Sequence, residues 1–311
     1  MSQQNYQVFS GTASRYLAEK ICQELGCPLG KCVLTRFADG EFEVSYEESI
    51  RGRDVYLVQS TYPSSDNLME LLLMMDAAKR ASARTINCVI PYFGWARQDR
   101  KSKPRVSIAA KVVADMLGAV GLTRLITMDL HADQEQGFFN VPVDHMYAST
   151  VLLPYIASLK LDNLVIAAPD AGASKRASTY AKYLGCPMVM CNKTRARANE
   201  VATMDVIGDV RGANVVICDD MVDTAGTITK AADLMMEKGA KSVRAAASHC
   251  IMSDPASERV MKSSLEEIVF SDSIPFTKDC PKVKQVSIAS MLAETIRRVQ
   301  DNESISGQFL I

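Results

Sequence analysis

Short β-branched runs alternate with longer segments of helical period along almost the whole chain, and this alternation limits the fold more than any other feature. Strand-like apolar runs fall at residues 55–59, 85–90, 124–128, 164–168, 187–191, 215–218 and 242–246. Between them, residues 67–82, 108–117, 175–184 and 227–238 carry apolar side chains at three- and four-residue steps, which gathers them on one helical face. Near-continuous apolar strands belong to sheets covered on both sides, as parallel sheets with helical crossovers are. The expected fold class is α/β, with mainly parallel sheets flanked by helices.

Gly121 and Gly239 each stand where a helical segment gives way to a strand, the place for a left-handed residue that ends a helix. Each half also brings a strand to an acidic end, ITMDLHADQEQG around Asp129 and VICDDMVDTAG around Asp219. A chain of 311 residues accommodates two domains of ordinary size, and the shared grammar predicts two related ones joined near residues 142–150. The expected division is 1–146 and 147–303, with the tail 304–311 packing on the first domain.

Charge is balanced, with 35 Lys and Arg against 36 Asp and Glu, so bulk electrostatics calls for no nucleic acid and no membrane as partner. Any anion must be caught locally. Nine cysteines without a Cys-x-x-Cys pair read as reduced thiols of a cytoplasmic protein, not as a disulfide or zinc framework. The opening MSQQNYQVFSG has no basic stretch leading into an apolar core, and no window offers the roughly 18 apolar residues that a membrane span needs.

Chemistry concentrates first in VVICDDMVDTAGT, residues 215–227. Ligands of open parallel sheets bind beyond the carboxyl ends of the strands, where Asp219, Asp220 and Asp223 fall. Thr224, Ala225, Gly226 and Thr227 then lead into a helix. Small residues let backbone N–H groups converge there on an anion, and the helix N-terminus adds partial positive charge. Carboxylates for hydroxyls beside a cradle for phosphate suit a phosphorylated sugar; the competing reading is simple helix capping. APDAGASKRA, 168–177, repeats the pattern, with Asp170 either a magnesium ligand before a pyrophosphate cradle or an N-cap.

In the first half, PYFGWARQDRK, 91–101, concentrates Arg97, Arg100 and Lys101 in a loop after a strand, suited to a polyphosphate or merely solvated. His131 in MDLHADQEQGFF, one of only three histidines, follows a strand and could meet a metal or a phosphate. KTRARANE, 193–200, is either an exposed solvated segment or a source of cations able to close over a phosphoryl transition state. FADGE, 37–41, is by itself a turn, or offers an aromatic face for a purine and two carboxylates for its amine. GCPLGKC, 26–32, has one residue too few for a P-loop and no hydroxyl after its lysine, so it reads as a helix-ending turn.

FADGE, RGRDVYLVQS, KRASA, PYFGWARQDRK, MDLHADQEQGFFNVPVD, APDAGASKRA, KTRARANEV and VICDDMVDTAGT occur in an order that resembles the ribose-phosphate pyrophosphokinases over nearly the whole chain, most closely their phosphate-dependent, ADP-inhibited class. The resemblance implies two pseudo-symmetric domains of the type I phosphoribosyltransferase fold, ATP and ribose 5-phosphate as substrates, Mg2+ as cofactor, and a homo-oligomer, a hexamer assembled from dimers. It implies that Asp219, Asp220 and the loop Asp223, Thr224, Ala225, Gly226, Thr227 hold ribose 5-phosphate. His131 and Asp170 would meet the metal and the ATP phosphates, Arg97, Gln98, Arg100 and Lys101 would grip ATP, and Phe37, Asp39 and Glu41 would reach adenine from a neighbouring subunit. Lys193 and Arg195, with His131, would be catalytic. An effector site for phosphate and ADP would involve Ser49, Arg51, Ser82, Asp144, Ser304, Ser306 and Phe309.

Three positions depart from the family pattern: Ala173 stands for a common second glycine, Glu135 for an apolar or small residue, and Val106-Ser107 for a frequent proline. They touch affinity and regulation more than reaction type. A nucleobase phosphoribosyltransferase shares the DDMVDTAGT logic but not FADGE, ARQDRK and DLH. A non-catalytic regulatory homologue would not need His131, Asp170, Lys193 and Arg195 together.

Overall fold

Every strand and helix expected from periodicity has a counterpart in the computed structural model, which describes residues 5–194 and 203–308. The described residues divide into two compact units, 5–147 with 289–308 and those of 148–288.

In chain order, the first unit runs β1 (Tyr6–Ser10), α1 (Arg15–Leu25), β2 (Cys32–Arg36), β3 (Phe42–Tyr46), β4 (Asp54–Val58), α2 (Asp66–Arg80), β5 (Thr85–Ile90), α3 (Ala109–Val120), β6 (Arg124–Met128) and β7 (Val143–Met146). Its main sheet has the order β1-β4-β5-β6-β7 with every neighbouring pair parallel. β4 is buried at all five positions, as a central strand covered by helices on both faces requires. The FADGE segment forms the tip of a separate antiparallel hairpin, β2 with β3. GCPLGKC begins as a helix stop: Gly26 lies at φ 67°, and Cys27 N donates to the Cys22 carbonyl at 3.0 Å.

The second unit runs α4 (Ser149–Ser158), β8 (Leu164–Ala168), α5 (Ser174–Leu184), β9 (Met188–Thr194), β10 (Thr203–Ile207), β11 (Asn214–Val222), α6 (Gly226–Glu237), β12 (Ser242–Cys250), α7 (Ala256–Lys262), β13 (Leu265–Ser271) and β14 (Val283–Val286). Its sheet has the order β10-β9-β8-β11-β12-β13-β14, parallel except where β10 returns against β9. The core beneath it joins Val215, Ile217, Ile228, Met235, Val243 and Phe270. Each fully buried aliphatic side chain of this kind contributes about 1.5–3 kcal/mol.

The last helix, α8 (Ala289–Gln300), departs from the division drawn at residue 303. It packs on α1 in the first unit, burying Met291, Leu292, Ala293 and Ile296. Arg297 Nη2 donates to the Glu24 carbonyl at 3.2 Å, and Gln300 Nε2 donates to the Tyr56 hydroxyl at 2.8 Å. The amphipathic pattern gives α8 an apolar face without saying which core takes it; packing against α1 decides. The tail follows: Thr295 Oγ1 donates to Gln308 Oε1 at 3.0 Å.

Candidate active site

Three turns beyond the strands hold many of the residues singled out by sequence, and each bends into the left-handed region at a residue other than glycine. Trp95 lies at φ 63° after β5, Asp129 at 42° after β6, and Ala225 at 59° before α6. Each such residue costs on the order of 1–3 kcal/mol, strain that tends to be kept where geometry serves function.

In the second unit, β11 runs farther than its apolar stretch, because its pairing with β12 continues through Met221↔His249 and Val222↔Cys250. Asp219 and Asp220 therefore lie inside the strand's last turns of the ladder, and only Asp223 follows it. Asp220 N donates to Asp219 Oδ1 at 2.9 Å, and Met221 N donates to Asp220 Oδ1 at 2.8 Å. Burial first, then the neighbouring charge of Asp220, pushes the Asp219 carboxyl well above its usual value, and Asp170 adds to the effect. Asp170 arrives from the adjacent strand β8, so the two acidic strand ends do converge.

The turn 223–227 is short and braced. Ala225 is 4% exposed, and its carbonyl accepts from Thr229 N at 3.1 Å and from Thr229 Oγ1 at 2.8 Å. Arg259, from α7, donates through Nη1 to the Thr224 carbonyl at 2.9 Å. A Cβ on Gly226 would lie 3.5 Å from that same nitrogen. Arg259 is outside every motif, and in sequence it reads only as an exposed helical cation.

At Asp170 the structure revises the expected cradle. Gly172 N and Ala173 N donate to Asp170 Oδ1 at 2.9 and 3.2 Å, so these amides already have an acceptor within the turn. Ala173 is buried and opens α5 as its N-cap residue. Lys193 belongs to β9, opposite Met204 of β10, rather than to a loop; its side chain and all of Arg195 lie outside the described residues.

In the first unit, β5 and β6 are neighbours, and each is followed by one of the segments expected to meet ATP. After β5, Gly94 is required: a Cβ there would fall 2.1 Å from the Thr61 carbonyl oxygen. Gly94 N donates to Thr61 Oγ1 at 2.8 Å, and a single 3-10 turn, Ala96–Gln98, then presents Arg97 and Gln98 outward. Arg100 and Lys101 are exposed just beyond. After β6, His131 is exposed between buried Leu130 and half-buried Ala132. At the hairpin tip, Phe37 is 48% exposed, and Glu41 N donates to Asp39 Oδ1 at 3.0 Å, which fixes the turn that carries all three.

Among the residues expected at an effector site, Arg51 Nη1 donates to Ser82 Oγ at 3.1 Å, and Ser304 Oγ to Ser306 Oγ at 3.1 Å, while Ser49 is exposed. Asp144 is committed to Arg124, whose Nη1 lies 2.7 Å away. Phe309 lies outside the described residues.

No helix among the described residues is long and apolar enough to cross a membrane. Nor does any group of three or more His, Cys, Asp or Glu among them form a ready metal cage. The fold is that of an α/β protein whose parallel strands end in acidic residues and tight turns. The family model for the N-terminal domain of ribose phosphate pyrophosphokinase matches residues 6–121, and that for the phosphoribosyl synthetase-associated domain matches 188–310. The chain is 67% identical to the ribose-phosphate pyrophosphokinase of Porphyromonas gingivalis over 98% of both chains, and 50% identical to that of Wolinella succinogenes over 98% of this chain and 99% of the other. Its structure matches phosphoribosylpyrophosphate synthetase from Mycobacterium smegmatis with a TM-score of 0.90 at 39% identity, covering 96% of this chain and 99% of that one. The chain belongs to the ribose-phosphate pyrophosphokinase family, and it is an enzyme.

Proposed function

We propose that this chain transfers the β,γ-diphosphoryl group of ATP to the C1 hydroxyl of ribose 5-phosphate, giving 5-phosphoribosyl 1-diphosphate and AMP. The sugar oxygen forms a bond to the β-phosphorus as the bond from that phosphorus to the α-phosphate oxygen breaks, and the hydroxyl proton is lost to solvent. The observation that carries the reading is the acidic end of β11 joined to the braced, left-handed turn at Ala225, in a chain of this family.

Residues 223–227 hold the 5-phosphate, and Asp219 and Asp220 take the ribose hydroxyls or their metal. Arg97, Gln98, Arg100 and Lys101 bind the ATP phosphates, and Phe37, Asp39 and Glu41 of a neighbouring subunit receive adenine. Lys193 and Arg195 stabilise charge on the transferring group. Phosphoryl transfer asks mainly for alignment and electrostatic stabilisation, and this residue set supplies both.

The donor set suits Mg2+: this ion keeps several waters and takes one or two carboxylates plus substrate phosphates instead of an all-protein cage. Asp219, destabilised as an anion by burial first and then by Asp220 and Asp170, has the crowded charge that a divalent cation relieves. Asp170 and His131 would hold it with the nucleotide. When bound, Mg2+ neutralises the diphosphate and polarises it toward attack.

A cytoplasmic homo-oligomer, a hexamer answering to phosphate and ADP through Arg51, Ser82 and the C-terminal serines, completes the proposal. AMP release from ATP and ribose 5-phosphate, followed with and without Mg2+, tests it. Production of AMP only when both substrates are present is expected; no AMP would overturn the assignment.

A further inference from the structure

We infer that Glu135 and His145 are positioning residues for His131, fixing the backbone on both sides of it; this rests on the role given to His131 above. His131 is exposed, yet neither flanking amide is left to solvent. Leu130 N donates to His145 Nε2 at 2.9 Å, and Ala132 N donates to Glu135 Oε1 at 3.0 Å. The second contact is reciprocal, because Glu135 N donates to the Ala132 carbonyl at 3.0 Å.

Both acceptors are deeply enclosed, Glu135 at 0% exposure and His145 at 5%. Inside this enclosure the Oε1 bond to the Ala132 amide is costly to lose, which ties the Glu135 rotamer to that amide. His145 is held in turn. It pairs with Thr127 across the β6–β7 ladder and stacks obliquely on Tyr147 with ring centroids 4.7 Å apart. Its Nδ1 lies 4.0 Å from Asp133 Oδ1, and Gln136 Nε2 donates to the Asp133 carbonyl at 2.8 Å. Because Nε2 accepts a backbone N–H, the neutral ring carries its proton on Nδ1.

The two acceptors come from opposite sides of the turn, one three residues after Ala132 and one from the next strand. Between them, the residue at left-handed Asp129 and the exposed imidazole at 131 ride on a backbone whose amides at 130 and 132 cannot rotate independently. Holding a reacting or binding group by partners that touch no ligand is what supporting residues do around metal and phosphate sites, and their loss costs about 10- to 100-fold.

The test compares Glu135→Leu and His145→Phe with Glu135→Gln and His145→Gln, which keep a side-chain acceptor at similar reach. Turnover is expected to fall about 10- to 100-fold in the first pair, with KM for ribose 5-phosphate unchanged, and to recover in the second. Hydrogen–deuterium exchange adds a readout independent of activity: the Ala132 amide loses protection in Glu135→Leu and the Leu130 amide in His145→Phe. Placed on His131→Ala, neither change should lower turnover further. If Glu135→Leu and His145→Phe keep full turnover while His131→Ala is inactive, the positioning inference fails and the role of His131 stands. Full turnover in His131→Ala removes the role itself. Should the apolar variants not fold, Glu135→Asp and His145→Asn, which shorten the acceptors, decide in their place: normal turnover with the amides deprotected would overturn the inference.

Discussion

The anion turn of the second unit and the His131 turn of the first are built on opposite plans. In the second unit, the groups proposed to meet ribose 5-phosphate are consecutive: β11 delivers Asp219 and Asp220, and the same chain bends at Ala225 into α6. In the first unit, one exposed imidazole depends on a glutamate inside the next turn and a histidine on the next strand. Function packed into one contiguous stretch can be read from sequence, whereas function that leans on distant side chains cannot.

The comparison can be broken or sharpened by mutation. Asp219→Asn is expected to have the largest effect, a loss of ribose 5-phosphate turnover of about 10- to 150-fold, the worth of one charged hydrogen bond. The same change should raise Tm near neutral pH. The folded carboxyl of Asp219 titrates above its unfolded value, so its contribution to stability is full only at low pH and is lost as pH rises through the folded pKa. Steady-state kinetics and thermal melts check the pair of outcomes; a lower Tm would contradict the charge crowding.

Asp223→Ala probes the contiguous plan more gently, since Asp223 lies just past the ladder. An increase of about tenfold or more in KM for ribose 5-phosphate is expected, with turnover at saturation little changed. An unaltered KM would remove Asp223 from the sugar site.

Arg259→Ala asks whether the anion turn is as self-contained as its sequence looks. Loss of the bond to the Thr224 carbonyl should raise that KM by roughly threefold to tenfold, less than a buried charged bond because Arg259 is exposed. Arg259→Lys restoring most of the affinity would assign the effect to charge; no change in either variant would confine the site to residues 219–227.

The smallest effect concerns stability in the first unit. Burial alone would raise the Asp54 carboxyl, but hydrogen bonds from Arg84, Thr85 and Gln300 outweigh it and hold the group below its ordinary value. A depressed carboxyl stabilises the fold above its unfolded pKa, about 3.9, and loses that contribution as pH falls through the folded value. Between pH 5 and 3, denaturant melts should show wild type losing more stability than Asp54→Asn. Parallel curves would mean that the contacts from Arg84 and from Gln300 of α8 contribute nothing through charge.

Period and punctuation located the strands and helices well where an element was fully apolar or cleanly amphipathic. They set the strand opening DDMVDTAGT too short, at Cys218, because Asp219 and Asp220 look like loop residues; pairing with β12 carries them in the sheet. They put Lys193 in a loop for the same reason, while β9 extends to Thr194 against β10. They found no role for Arg259, and saw Glu135 only as an odd residue in the His131 segment, since a charged side chain on a helix or turn has no periodic signature of what it will meet.

The sequence by itself determined the α/β class, the acid and small-residue turns after the strands, and the order of motifs that marks the family. Those depend on side-chain period, backbone freedom and local charge, all of which are properties of neighbours along the chain. Only the tertiary structure decided that α8 completes the first unit, that Asp170 and Asp219 crowd each other, that the 172–173 amides turn inward to Asp170, and that buried Glu135 and His145 grip the backbone around His131. Such contacts join residues up to 273 positions apart, as between Glu24 and Arg297, and which partner a side chain finds is fixed by packing of whole elements, not by its own surroundings in sequence.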